Sequence, residues 1–296
     1  MSLNARTLSE EEFFYGHKAC AGCGGALAVR IALKVLGERA FAILPAGCMS
    51  AVGFNFPQLC FGNNAIISTF AGTASMLTGV RAGLQAQGIT DCYVVGFAGD
   101  GGTADIGLQA LSGAIDRDDD VLYICYDNEA YMNTGIQKSS LTPFGARTTT
   151  TPAGQRIRGN IRPKKNMFEI VASHNIPYAA TASIGYLQDF INKVDKASRI
   201  RGTRYIHVIA PCPTGWGIAV DETVDIAREV VDCGLWYLAE YEQGHYTLNR
   251  RPSEFTEITH YLSRQSRFRH LTQEDVEVIQ RSRDDKWKQL EALQNR

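Results

Sequence analysis

The chain has 296 residues, 45% of them hydrophobic and 21% charged, which is ordinary globular usage and long enough to bury a core without disulfide staples. Its 30 Lys and Arg against 31 Asp and Glu leave a formal charge of −1, so no single-signed field points to a nucleic acid or a membrane surface. The longest apolar runs are strand-sized, and the acidic stretch Glu10-Glu11-Glu12 stands where a secretory leader would be basic, so a cytoplasmic protein is expected.

In chain order, apolar strand-like runs are predicted at 41–44, 65–69, 92–98, 121–127, 178–181 and 205–210. Between them, 26–36, 74–84, 104–115 and 187–197 carry apolar residues at helical spacings of three and four. The alternation predicts an α/β fold, a largely parallel sheet with helices on both faces. One gap interrupts it. Residues 129–165 have little periodicity, and a connection of that length is usually functional or partner-bound. Its basic residues Arg147, Arg156, Arg158, Arg162, Lys164 and Lys165 either close over an interface and receive a ligand or form a solvated loop. After Cys212 the pattern changes: 220–231 reads as helical, 235–249 as aromatic and polar, and 273–296 as a charged helix with few apolar anchors. The expected division is a main α/β domain over 1–233 and a C-terminal extension over 234–296. That extension packs on the domain or on a partner, or else it ends in a solvated helix.

The turn Gly99-Asp100-Gly101-Gly102 follows a buried strand and opens a helix, where free backbone N–H groups favour a phosphate. As Gly99-x-Gly101-x-x-Ala104 it also satisfies a loose dinucleotide fingerprint, with Asp127 on a ribose. Asp100 argues for a metal instead. A carboxylate at the tip of the turn repels a bare pyrophosphate, and a divalent cation between them turns the repulsion into attraction. Asn128 ends the next strand. Neighbouring parallel strands bring their carboxyl ends together, so Asp100, Asn128 and the Ala130 carbonyl can give oxygens to one hard cation. The plain alternative is a glycine turn followed by an unrelated Asn turn.

Eight cysteines in a chain expected to be cytoplasmic ask for metal or redox chemistry rather than disulfides. Cys20-Ala21-Gly22-Cys23 opens the first helix and fits a redox pair, half a zinc site or half a cluster site. Cys48 follows Ala46-Gly47, and Cys212 lies in Ala210-Pro211-Cys212-Pro213-Thr214-Gly215. Both stand alone just after predicted strands, which disfavours a zinc framework of two close pairs and suits an iron–sulfur cluster on four thiolates. Cys60, Cys92, Cys125 and Cys233 sit in apolar surroundings and read as small core residues.

With these motifs together, the chain resembles the thiamin-binding β subunits of 2-oxoacid:ferredoxin oxidoreductases, of which the pyruvate enzyme is the best-known member. The resemblance runs from Gly16-His17-Lys18-Ala19-Cys20 to Arg267-Phe268-Arg269-His270-Leu271. It is most specific at Cys20-x-x-Cys23-Gly24, Gly99-Asp100-Gly101, Tyr131-Met132-Asn133-Thr134-Gly135-Ile136-Gln137, Thr142-Pro143-Phe144-Gly145-Ala146 and Ala210-Pro211-Cys212-Pro213-Thr214-Gly215-Trp216. It implies thiamin diphosphate on Gly99, Asp100, Gly101 and Gly102, with Mg²⁺ on Asp100, Asn128 and the Ala130 carbonyl. It also implies a [4Fe–4S] cluster on Cys20, Cys23, Cys48 and Cys212. Asn133 then serves the substrate end of the cofactor as a catalytic residue, or is simply a turn Asn before Gly135.

The implied reaction is oxidative decarboxylation of a 2-oxoacid, pyruvate foremost, in anaerobic metabolism. Electrons pass through the cluster to ferredoxin, usually with acyl transfer to coenzyme A. The family's activating Glu comes from another domain or subunit, and no residue here stands out for it. A hetero-oligomer is therefore expected, with one partner supplying that Glu and one ferredoxin-like. Phe70-Ala71-Gly72-Thr73-Ala74 and Gly25 stand where many or some members carry acidic residues, which keeps oxalate and aromatic or branched-chain 2-oxoacids in play. The alternative of another class is a non-catalytic electron-transfer subunit with a vestigial thiamin turn.

Overall fold

The computed structural model describes residues 3–55, 57–154 and 158–294. Arg156, among the basic residues of the long loop, lies outside the described residues. The strands in chain order are β1 (Ala40–Pro45), the short hairpin arms β2 (Phe54–Asn55) and β3 (Gln58–Leu59), β4 (Asn64–Ser68), β5 (Tyr93–Gly99), β6 (Leu122–Asp127), β7 (Tyr178–Ser183), β8 (Arg204–Ile209), β9 (Ala239–Glu242) and β10 (His245–Leu248). The helices are α1 (Gly24–Leu36), α2 (Cys48–Gly53), α3 (Thr73–Ala86), α4 (Asp100–Ala104), α5 (Leu108–Asp116), α6 (Met167–Ala172), α7 (Leu187–Arg199), α8 (Pro213–Trp216), α9 (Thr223–Asp232), α10 (Ile258–Ser263) and α11 (Gln273–Gln294), with a 3₁₀ turn at Ser266–Phe268.

Among the described residues, eight strands form one sheet in the order β10-β9-β7-β8-β6-β5-β1-β4. The six from β7 to β4 run parallel, as their near-continuous apolar sequences predict. A strand covered by helices on both faces has no wet side to serve, and β6, β7 and β8 are buried at every position. Alternation along β5 divides the core. Val95 and Phe97 join α1 and α7 through Ala28, Leu33, Phe190 and Val194, while Val94 and Ala98 join α3 and α5 through Leu77 and Leu111.

Strand order reverses beside β1. From β1 the chain steps outward to β4, then returns to β5 on the other side of β1. Loops leaving the carboxyl ends of strands diverge at such a reversal and leave a crevice between them. Here the crevice lies between 45–48 and 99–102.

Three departures from the sequence expectation have local causes. The helix predicted at 104–115 is broken at 105–107, where a β carbon on Gly107 would stand 2.0 Å from the Gly102 carbonyl oxygen. The aromatic stretch 235–249 is a hairpin whose β9 pairs antiparallel with β7, adding two strands to the sheet. Finally, α11 is better anchored than its charged sequence suggests. Trp287 and Leu290 pack with Phe168 and Tyr237, and Ile279 packs with Trp216. At the opposite edge the sheet ends on β4, where Ile67 is 45% exposed.

Candidate cofactor and metal site

A cavity of about 320 Å³ occupies the crevice, and Cys48, Asp100, Tyr126, Asn128, Ala130 and Asn133 all line it. The glycine turn is shaped for close approach. A β carbon on Gly101 would stand 2.2 Å from the Tyr131 ring, whose hydroxyl is held by Asp105 Oδ2 at 2.7 Å. Phe70 lies against Gly102 on the other wall, with its ring centroid 5.9 Å from that of Tyr131. Bare backbone is thereby left open to an anion at the start of α4.

Three oxygen-bearing groups converge at the floor. The amide head of Asn128 stands 2.8 Å from the Ala130 carbonyl oxygen and 3.0 Å from Asp100 Oδ1. Without a cation the Asn128 NH₂ turns inward and donates to both; a cation here would take the amide oxygen instead and meet three acceptors. The charge balance points the same way. Asp100 is fully buried, and burial together with neighbouring Asp127 pushes its carboxyl well above the usual carboxylate range. The Ser139 hydroxyl donates to its other oxygen, which is small relief for a buried charge. A divalent cation at this point fits the donor set, because it reverses the sign of that cost and matches the hard-oxygen chemistry of Mg²⁺.

The surrounding charges already balance. Asp127 is set between His207 Nε2 at 2.8 Å and Lys164 Nζ at 2.6 Å, which removes it from any ribose and overturns the dinucleotide alternative. Burial disfavours the Lys164 charge, but Asp127 and Glu129 outweigh it and raise the ammonium above its ordinary value. Burial keeps His207 neutral by lowering it. Glu129 lies 2.6 Å from both Lys164 Nζ and Arg267 Nη2. Two carboxylates thus meet two cations, and Asp100 is left over. Glu129 also has φ of +66°, a left-handed backbone that costs a side-chain-bearing residue on the order of 1–2 kcal/mol.

Glu129, Arg267, Trp216 and Ser139 carry no site signal in the sequence, and Lys164 and Lys165 stand out only as members of the basic loop. Lys164 and Lys165 belonged to a basic loop, yet both turn inward, Lys165 Nζ lying 3.6 Å from Asp105. Glu129 is committed to its ion pairs and does not line the cavity, so it is no candidate for activating a cofactor. Asn133 lines the cavity and is exposed, at the mouth rather than the floor.

The four singled-out cysteines come from the start of α1 and from the ends of β1 and β8. Cys23 caps α1, accepting from the Ala26 N–H at 3.4 Å, Cys48 opens α2, and Cys212 caps α8, accepting from the Gly215 N–H at 3.4 Å. The Gly24 N–H donates to the Pro211 carbonyl at 3.2 Å, tying the first pair to the last cysteine. Burial, then Cys212 and Cys23, push the Cys48 thiol up to about 12. Burial raises Cys23 and Cys212 too, with added repulsion from the other cysteines. Cys20 is exposed. Among the described residues, no three His, Cys, Asp or Glu side chains converge tightly enough for one metal ion. A cluster binds each thiolate to a different iron and needs a wider set, aided by N–H groups at helix starts. Cys60, Cys125 and Cys233 are buried core residues, and Cys92 is half-buried just before β5.

Residues 45–208 match the family of the thiamine pyrophosphate enzyme C-terminal TPP-binding domain. The chain is 50% identical over 274 residues to the pyruvate synthase subunit PorB of Methanothermobacter thermautotrophicus, covering 92% of this chain and 95% of that one. It is 47% identical to the ketoisovalerate oxidoreductase subunit VorB of Pyrococcus horikoshii, covering 96% and 94%. Among solved structures, 2-oxoglutarate:ferredoxin oxidoreductase from Magnetococcus marinus superposes with a TM-score of 0.57 at 20% identity, over 75% of this chain and 78% of that one. That likeness establishes the thiamin-enzyme fold. No helix among the described residues is long and apolar enough to cross a membrane.

Proposed function

The chain belongs to the β subunits of the 2-oxoacid:ferredoxin oxidoreductases, a family of thiamin diphosphate enzymes, and from that membership we propose how its crevice divides the work. In this reading Gly99, Asp100, Gly101 and Gly102 receive the diphosphate, while Asp100, Asn128 and the Ala130 carbonyl hold its Mg²⁺. Cys20, Cys23, Cys48 and Cys212 carry a [4Fe–4S] cluster. Thiamin diphosphate, when bound, supplies the electron sink that lets a 2-oxoacid lose CO₂. The cluster supplies a one-electron acceptor on the same chain.

The protein's own part is placement and exclusion of water. Tyr131 and Phe70 wall the diphosphate turn, and Tyr126 fills the space between Cys48 and Gly99, its ring 3.4 Å from where a Gly99 β carbon would be. Asn133 at the mouth meets the substrate end. The activating carboxylate comes from a partner subunit, since no glutamate of this chain lines the cavity among the described residues. Ferredoxin accepts the electrons and coenzyme A the acyl group. Pyruvate is the proposed substrate, from the 50% identity to a pyruvate synthase subunit, and the 47% identity to a ketoisovalerate oxidoreductase subunit keeps branched-chain 2-oxoacids second.

The observation that carries this reading is the uncompensated Asp100 carboxylate beside two further oxygen donors, in a cavity that also touches Cys48. The test is anaerobic purification of the complex with assays for iron, acid-labile sulfide and thiamin. Asp100→Asn should remove thiamin diphosphate and Mg²⁺ and leave the brown cluster absorbance. Turnover and electron transfer surviving that change would favour a non-catalytic electron carrier. A panel of 2-oxoacids with viologen dye ranks the substrates.

A further inference from the structure

Glu129 stands between two of the proposed metal ligands in a left-handed conformation, and it is neither Gly nor Asn, the residues that adopt it readily. Its surroundings hold it there. The main-chain N–H donates to Asp127 Oδ1 at 2.9 Å, and the carbonyl accepts from Thr142 Oγ1 at 2.7 Å. One side-chain oxygen lies 2.6 Å from Lys164 Nζ and the other 2.6 Å from Arg267 Nη2. Arg267 is itself fixed. Its Nε donates to Gln265 Oε1 at 2.9 Å, and its guanidinium carbon lies 3.8 Å from the Trp216 ring centroid. The Trp216 indole N–H in turn donates to the Asn128 carbonyl at 2.8 Å.

The left-handed step has a geometric result. Across Glu129, whose φ is +66°, the Asn128 amide head and the Ala130 carbonyl oxygen approach to 2.8 Å. Neither Arg267 nor Lys164 lines the cavity, so neither touches a ligand there. Both reach the metal loop from far along the chain, and Arg267 comes from beyond residue 234.

We propose that Arg267, together with Lys164, is a positioning residue for the divalent cation: it clamps Glu129 in the left-handed conformation that aims the Asn128 and Ala130 oxygens at one point, so the C-terminal segment sets metal affinity. This rests on the assignment of Asp100, Asn128 and Ala130 as the metal ligands. The clamp acts through backbone shape, and a residue that adopts the shape unaided should not need it.

The test is a Mg²⁺ titration of the cofactor-depleted complex at saturating thiamin diphosphate, followed by circular dichroism of the bound cofactor, with the cofactor-free Tm and the cluster absorbance as controls. Arg267→Met should raise the Mg²⁺ needed for half-saturation at least tenfold, and Arg267→Lys, which keeps charge and loses the planar stack, a few-fold. In a Glu129→Gly background, where φ above zero is freely adopted, Arg267→Met should change the requirement by less than twofold. An unchanged Mg²⁺ requirement in Arg267→Met overturns the clamp, as does an equal shift in both backgrounds. Should the Met variant fail to assemble, an unchanged requirement in Arg267→Lys overturns it. Asp100→Asn separates the two levels. If it binds Mg²⁺ and cofactor normally, the ligand assignment has failed; if it loses both while Arg267→Met does not, only the clamp has.

Discussion

The oxygen corner lines the cavity, the sulfur corner touches it through Cys48, and the two are built on opposite plans. The Asn128 amide head already stands 2.8 Å from the Ala130 carbonyl oxygen and 3.0 Å from Asp100 Oδ1. Buried ion pairs fix the neighbouring Asp127 and Glu129, and the Tyr131 ring crowds Gly101 beside Asp100. At the cysteines, no three thiols close on a point, Cys20 is exposed, and burial and mutual repulsion keep the others protonated. The first corner is preorganised by the fold. The second, in the proposed reading, depends on its cluster to bring the thiolates together, as metal sites coupled to folding do.

The contrast can be broken most forcefully at the sulfurs. Cys212→Ser or Cys48→Ser should eliminate the cluster and cut 2-oxoacid oxidation by about a thousand-fold or more, roughly 4 kcal/mol of barrier. Thiamin diphosphate and Mg²⁺ binding should stay within about twofold, as measured by cofactor titration. A smaller effect compares one added methyl at each corner. Gly101→Ala meets the Tyr131 ring at 2.2 Å and should weaken cofactor binding about tenfold, ~1.4 kcal/mol, with partial recovery in a Tyr131→Leu background. Gly215→Ala, beside Cys212, meets the Met132 thioether at 2.2 Å, the far end of a flexible side chain, and reaches Cys212 Sγ only at an ordinary contact of 3.7 Å, so cluster content should be unchanged.

The smallest effect concerns the brace on Tyr131. Burial alone would raise the Asp105 carboxyl, but hydrogen bonds from Ser140 and Tyr131 outweigh it and hold the group below its usual range. A carboxyl lowered in the folded state contributes stability that is complete above the unfolded value of about 3.9 and fades as pH falls through the folded one. Asp105→Asn should therefore cost about 1 kcal/mol at neutral pH. The Tm difference from wild type should shrink below about pH 4 and vanish once both forms are uncharged.

What was readable in advance was what chemistry writes locally. The glycine turn with its acid, Asn128 at the end of the next strand and the cysteine spacings all lie within short stretches whose residue types have few other uses. The six parallel strands were readable for a related reason, since burial on both faces leaves an unbroken apolar run. Lys164 and Arg267 were not readable. Each is an ordinary basic residue whose role comes only from meeting Glu129 across the fold, and a formal charge carries no address. The pairing of β9 and β10 was missed because hairpin strands at a sheet edge keep one polar side. The single helix expected over 104–115 failed because periodicity does not register the crowding at Gly107.

β4 closes the sheet with one side of its backbone unpaired among the described residues, and Ile67 within it is 45% exposed. A free row of N–H and C=O groups next to a branched aliphatic side chain is a template for stray strands of any origin, which natural sheets keep shielded. That margin is thus a place where the isolated polypeptide can self-associate. Whoever produces it in a foreign host is well advised to supply a shield for that strand before refining any buried residue.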